Sequence, residues 1–144
     1  MQLIALTGMM ILEKADLCIA LAQHFGAAGQ RVCLLDNLAG TDITGELPAG
    51  VMCHKIMLDN LPGFVVLDPA DIFLLAVSER AHPDTTVQAL LNLEIHEPAL
   101  TVQTIALIDA RSEGCFPQVV ETLIQNADVS LHLPATLDDI LEVM

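Results

Sequence analysis

The chain has 144 residues, 53% of them hydrophobic, and a net charge of −14 from 19 acidic and 5 basic side chains. Such a length suits one domain with a substantial core, and the hydrophobic share excludes a disordered chain. The charge argues against nucleic-acid partners and anionic membrane surfaces, because an acidic protein repels phosphate.

In chain order, the apolar run Leu3-Ile4-Ala5-Leu6 predicts a strand that ends at Thr7-Gly8. A helix follows from about Glu13 to Ala28. Leu17, Ala20, Leu21, His24 and Phe25 form its buried stripe at steps of three and four, which makes His24 a partly buried packing residue. Gly26 and Gly29 mark its end. Arg31 to Leu35 is a second strand, closing on Asp36, and residues 37–50 read as a loop.

Val51 to Leu58, Phe64 to Leu67 and Ile72 to Val77 read as three further strands, with Asp59 to Gly63 as a turn. Parallel neighbours need a crossover of a dozen residues or more. So closely spaced a trio therefore predicts one antiparallel edge hairpin around Asp59 to Gly63.

Beyond a loop at Ser78 to Pro83, Asp84 to Glu97 is helical, with Asp84 or Thr85 as the cap. Val102 to Ile108 is a strand and Glu113 to Ala127 a helix, with Pro117 near its start. Val129 to Leu133 is the last strand. Thr136 to Val143 is a short helix with a capping-box pattern at Thr136 and Asp139. The expected fold is α/β: three layers, a mostly parallel twisted sheet with helices on both faces, in a single domain over residues 1–144.

No stretch approaches the roughly 18 apolar residues of a membrane span, and the N-terminus lacks the basic region of a signal peptide. Cys18, Cys33, Cys53 and Cys115 are scattered without paired spacing. They are expected to be reduced thiols in a cytoplasmic protein, with no metal site.

The turn after the first strand reads Gly8-Met9-Met10-Ile11-Leu12-Glu13-Lys14-Ala15. A phosphate loop needs a second glycine, a lysine for the terminal phosphates and a hydroxyl for magnesium. Gly8 and Lys14 are in place. Glu13 stands where the second glycine belongs and Ala15 where the hydroxyl belongs. A carboxylate a few ångströms from a triphosphate costs on the order of kcal/mol. The losses argue against ATP and magnesium as resident cofactors.

Residue by residue the chain resembles the deviant P-loop ATPase family of MinD and ParA. Leu3 to Gly8 and Lys14 align with that family's first strand and loop. Ala20-Leu21-Ala22 and Gly29 to Asp36 resemble its next helix and strand. Asp36 matches an acidic residue that aids water activation or magnesium coordination. Phe64 to Asp68 resembles the Walker B strand, with Asp68 at the magnesium-associated position, and Ala70 to Ser78 the strand after it. The resemblance implies a P-loop NTPase-like fold and residual nucleotide-binding positions at Gly8, Lys14, Asp36 and Asp68. The departures are the shorter chain, a switch segment reduced to Pro69, and Met9-Met10 in place of the signature lysine. They imply a shortened, degenerate relative without coupled hydrolysis.

Ordinary structural roles stand beside these. Asp36 and Asp68 end strands, where carboxylates begin turns, and Lys14 can pair with Asp36 or Glu13. A dinucleotide-binding Rossmann unit ranks lower, because G-x-G-x-x-G is absent. Met9, Met10, Ile11 and Leu12 place four apolar residues in the turn. They either join the core or form a partner surface. The expected function is a non-catalytic, accessory pseudo-ATPase that assembles with a protein partner or with itself through that turn. A minimal ATP-binding switch on Lys14, Asp36 and Asp68 is the alternative.

Overall fold

The computed structural model describes residues 1–39, 43, 47–67 and 70–144. Its strands are β1 (Gln2–Thr7), β2 (Val32–Asp36), β3 (Met52–Lys55), β4 (Ile72–Ala76), β5 (Thr101–Ile108) and β6 (Val129–His132). They form one sheet in the order β3-β2-β4-β1-β5-β6, with each neighbouring pair parallel. The helices are α1 (Ile11–Ala27), α2 (Leu61–Leu67), α3 (Pro83–His96), α4 (Ala110–Cys115), α5 (Pro117–Gln125) and α6 (Leu137–Val143).

Side chains alternate across the sheet and divide its core in two. Ile4, Leu6, Leu34 and Leu74 pack with α1 and α6 on one face. Leu3, Ala5, Phe73 and Leu75 meet Leu61 and Val65 of α2 and Leu90 and Leu93 of α3 on the other. Val120 of α5 covers Ala106 and Ile108. β2 and β4 are buried along their whole length, which is why both read as uninterrupted apolar runs.

The predicted antiparallel hairpin does not form. Phe64 to Leu67, read as a strand, belongs to α2. Leu61 and Val65 lie four apart and are both buried, the spacing of a helix face. Pro62 sits in the first turn, where its missing N–H leaves no bond unmade. Residues 56–71 are long enough for a helical crossover, so β3 and β4 run parallel. The strand read over 51–58 shortens to Met52–Lys55, and Leu58–Asn60 form a 3-10 turn. Asp68 lies outside the described residues, as does part of the loop read over 37–50. Within that loop Leu38 and Ile43 are buried against the α1 face.

Other boundaries move for local reasons. α1 starts at Ile11, two residues before the predicted start. Its buried stripe contains Lys14, Cys18 and Ala22 beside Leu17 and Leu21. His24 is exposed, contrary to expectation, with its ring edge-on to Phe25. Gly29 takes the left-handed conformation (φ +84°) that ends α1. The cap of α3 is neither Asp84 nor Thr85 but His82, whose Nδ1 accepts from Asp84 N at 3.2 Å. The helix read over 113–127 breaks at Phe116 into α4 and α5, with Pro117 opening the second. The capping box forms: Thr136 N donates to Asp139 Oδ2 at 2.8 Å, and Asp139 N to Thr136 Oγ1 at 3.3 Å.

Candidate functional site

Parallel α/β sheets bind ligands beyond the carboxyl ends of their strands, where the direction of strand order switches. Here α1 leads from β1 on one face, α3 leads from β4 to β5 on the other, and β1 lies between. The edge therefore brings together Thr7-Gly8, Val77-Ser78-Glu79 and Asp36-Asn37.

Gly8 has φ +131°, and a Cβ there would lie 2.3 Å from the carbonyl oxygen of Leu107. Only glycine fits both the conformation and the contact. The turn is three residues long, Gly8-Met9-Met10, and Lys14 N donates to Met10 O at 3.2 Å to begin the helix. Met10 caps α1 with no side-chain hydrogen bond.

Lys14 stands in the first turn of α1 and is fully buried. Its Nζ donates to the carbonyl of Gly8 at 2.6 Å and to that of Val77 at 2.6 Å. Burial lowers its pKa from 10.5 to about 8, against the opposing pull of the Glu79 carboxylate and, more weakly, of Cys18. The expected pairing with Asp36 or Glu13 is replaced by these two carbonyls. Asp36 Oδ1 instead accepts from Leu38 N at 2.9 Å and faces Lys55 Nζ at 3.4 Å. Lys55 Nζ also donates to the carbonyl of Leu38.

The structure thus places Gly8, Lys14 and Asp36 at one sheet edge. Lys14 Nζ and Asp36 Oδ1 turn to local partners, whereas Asp36 Oδ2 is buried with no hydrogen-bond partner among the described residues. The apolar turn is divided. Met9 and Met10 are half-buried, Ile11 packs against the α1-face core, and Leu12 is 67% exposed.

Three residues of the edge were not anticipated. Asn37 Oδ1 accepts from Ser78 N at 2.9 Å and its Nδ2 donates to Ile56 O at 3.2 Å, tying together the ends of β2, β3 and β4. Glu79 Oε2 and Thr7 Oγ1 are buried and have no hydrogen-bond partner among the described residues. Both line a cleft between α3 and α5. The sequence signal for Glu79 was a carboxylate just past the apolar run of β4. Its proximity to Thr7 needed the knowledge that β4 pairs with β1. Among the described residues no cluster of three His, Cys, Asp or Glu could hold a metal ion, and no helix is long and apolar enough to cross a membrane.

No protein-family model matches the chain, and no curated protein sequence matches it. Solved structures do. FtsY from Mycoplasma mycoides is 18% identical with a TM-score of 0.64, over 92% of this chain and 50% of that one. Chloroplast FtsY from Physcomitrella patens is 13% identical with a TM-score of 0.66, over 91% and 49%. FlhF complexed with GMPPNP and Mg²⁺ is 12% identical with a TM-score of 0.53, over 99% and 60%. The chain spans about half the length of the FtsY structures it resembles. The fold is α/β and P-loop NTPase-like, as the resemblance implied.

Proposed function

We propose that the chain is a non-catalytic accessory subunit, a P-loop NTPase-like scaffold that assembles with another protein or a second copy of itself through the Met9 to Leu12 turn. The observation that carries this reading is the direction of Lys14. In a phosphate loop the lysine ammonium must be free to meet phosphate oxygens. Here it is buried and donates to the carbonyls of Gly8 and Val77. Asp36, the acidic candidate for magnesium, faces Lys55. Glu13 and Ala15 replace the glycine and hydroxyl such a loop uses. The residues present do not fit a magnesium-bound nucleotide. Leu12, exposed beside this edge, supplies the apolar contact. The described cysteines are unbridged, consistent with a reducing cytoplasmic setting.

A nucleotide-binding switch on Lys14, Asp36 and Asp68 is the second reading. It is favoured by the fold neighbours, since FtsY from Elizabethkingia anophelis was solved in complex with GDP and FlhF with GMPPNP and Mg²⁺. Calorimetric titration with ATP and with GMPPNP, each with magnesium, separates the two. The accessory reading expects no saturable heat. Micromolar binding that Lys14→Met abolishes would overturn it.

A further inference from the structure

We propose that the cleft between α3 and α5 is a binding site for a small primary ammonium ion carrying a short aliphatic chain. This cleft lies on the sheet face opposite α1. Along β1 the odd-numbered residues Leu3 and Ala5 face α2 and α3, and the alternation of a strand turns Thr7 the same way. Thr7 is 6% exposed, and its Oγ1 has no hydrogen-bond partner among the described residues.

Glu79 enters the same cleft from the end of β4. Its Oε1 lies 3.7 Å from Arg80 Nε at the rim, whereas its Oε2 is buried and unpartnered among the described residues. A buried carboxylate oxygen without a donor is costly, and a charged donor satisfies it best. The nearby Lys14 ammonium gives two hydrogen bonds to backbone carbonyls, and none from it reaches Glu79 Oε2.

The charge and the walls set the ligand class. A carboxylate repels anions and an ammonium brings three donors. Val87, Leu90, Val119 and Leu123 supply hydrocarbon to the walls, beside the polar Thr86 and Asn126. About 40 Å³ is open to the centres of water molecules, within some 500 Å³ of empty space that widens to solvent. At roughly 10–15 Å³ per water centre this admits on the order of three water-sized groups. That holds an ammonium head and about two methylenes, and the end of a butyl chain extends into the part of the cleft that widens to solvent. The head donates to Glu79 Oε2, with Thr7 Oγ1 as the neutral acceptor in the same cleft. The chain lies against Leu90 and Leu123. The cleft is also bordered by Gly8 and Met9 of the turn, so it adjoins the contact of the accessory reading, but the groups that set its ligand, Glu79 and Thr7, are not part of that contact.

The test is a methyl-detected NMR titration of the full chain with n-butylammonium chloride, with n-butanol and sodium butyrate as matched probes. The expected result is saturable shifts at Val87, Leu90, Val119 and Leu123. Butanol and butyrate should bind at least about tenfold more weakly, the discrimination a charge-assisted hydrogen bond gives. Glu79→Gln should weaken n-butylammonium by a similar factor. Absent or unsaturable shifts at millimolar amine, equal response to butanol, or an unchanged titration in folded Glu79→Gln would each overturn the proposal. If Glu79→Gln fails to fold, the comparison of the three probes on the unaltered chain decides.

Discussion

The Lys14 ammonium closes the turn at the start of α1 onto the turn's own first residue, donating to the Gly8 carbonyl at 2.6 Å across six positions of sequence. Its second bond, to Val77 O, joins α1 to the end of β4 across 63 positions. A side chain in the place of a phosphate-binding lysine is thereby a structural tie between a helix and two strands.

Removal of that tie has a stability signature that loss of a ligand-binding lysine would lack. Lys14→Ala deletes a fully buried stem and leaves two carbonyls without their charged donor. The expected loss is roughly 2–4 kcal/mol, from the cavity and the unmade hydrogen bonds. Lys14→Met keeps most of the volume and removes the charge, so it should be the milder change by on the order of 2 kcal/mol. Urea unfolding of the three chains checks the order. Wild-type stability in Lys14→Ala would contradict the tie.

The pH dependence of stability follows from two buried groups with opposite signs. Burial lowers Lys14 from 10.5 to about 8. Between those values the unfolded chain holds a proton that the folded chain has released, so stability rises with pH, by at most about 1.4 kcal/mol per unit. Burial raises the Cys18 thiol from 9.0 to about 12, with Lys14 opposing. Above 9.0 the unfolded chain loses a proton that the folded chain keeps, and stability falls with pH up to about 12. Urea midpoints should therefore rise from pH 8 to 9 and flatten above it. Lys14→Met removes the rise and Cys18→Ala the later fall. A rise that persists unchanged in Lys14→Met would exclude this assignment.

Gly8 and Gly26 make a matched pair of substitutions. A Cβ at Gly8 would sit 2.3 Å from the Leu107 carbonyl on a backbone at φ +131°. Neither strain can relax without parting β1 from β5. Gly8→Ala should cost more than about 3 kcal/mol or prevent folding. At Gly26, within α1, a Cβ would meet nothing within 4 Å. Gly26→Ala should stabilise by up to about 0.5–1 kcal/mol, less if the helix end frays. Thermal unfolding of both variants reads the contrast. An intact, unshifted Gly8→Ala would refute the close packing of this turn.

The order of elements was legible wherever one burial pattern ran for several residues. β1, β2 and β4 are continuous apolar runs because helices cover both faces, and α1 carries a stripe at steps of three and four. α2 was not legible. Its Phe64-Val65-Val66-Leu67 stretch is short and partly β-branched, a sequence that reads as a strand as readily as a buried helix. What decides is tertiary: β3 and β4 are parallel, and a parallel connection needs a crossover. At the site the positions of Gly8 and Lys14 were visible in the spacing of the loop. The direction of the Lys14 side chain was not, because it depends on a carbonyl 63 residues away and on Glu79, whose nearness follows from strand order.

Assembly through the turn makes its own prediction, because neighbouring residues divide their roles. Ile11 is packed against the core, while Leu12 is 67% exposed. Leu12→Glu should therefore leave stability within about 0.5 kcal/mol of wild type. If Leu12 is buried in a contact between molecules, it contributes about 1.5–3 kcal/mol there, and its loss weakens association tenfold or more. Native mass measurement should then show a smaller species for Leu12→Glu than for the unaltered chain. Leu12→Lys separates lost apolar contact from added acidity on a chain already at −14. Dissociation by both substitutions identifies Leu12 as an anchor of the contact. Dissociation by Glu alone points to charge repulsion across it. An assembly indifferent to both excludes this face.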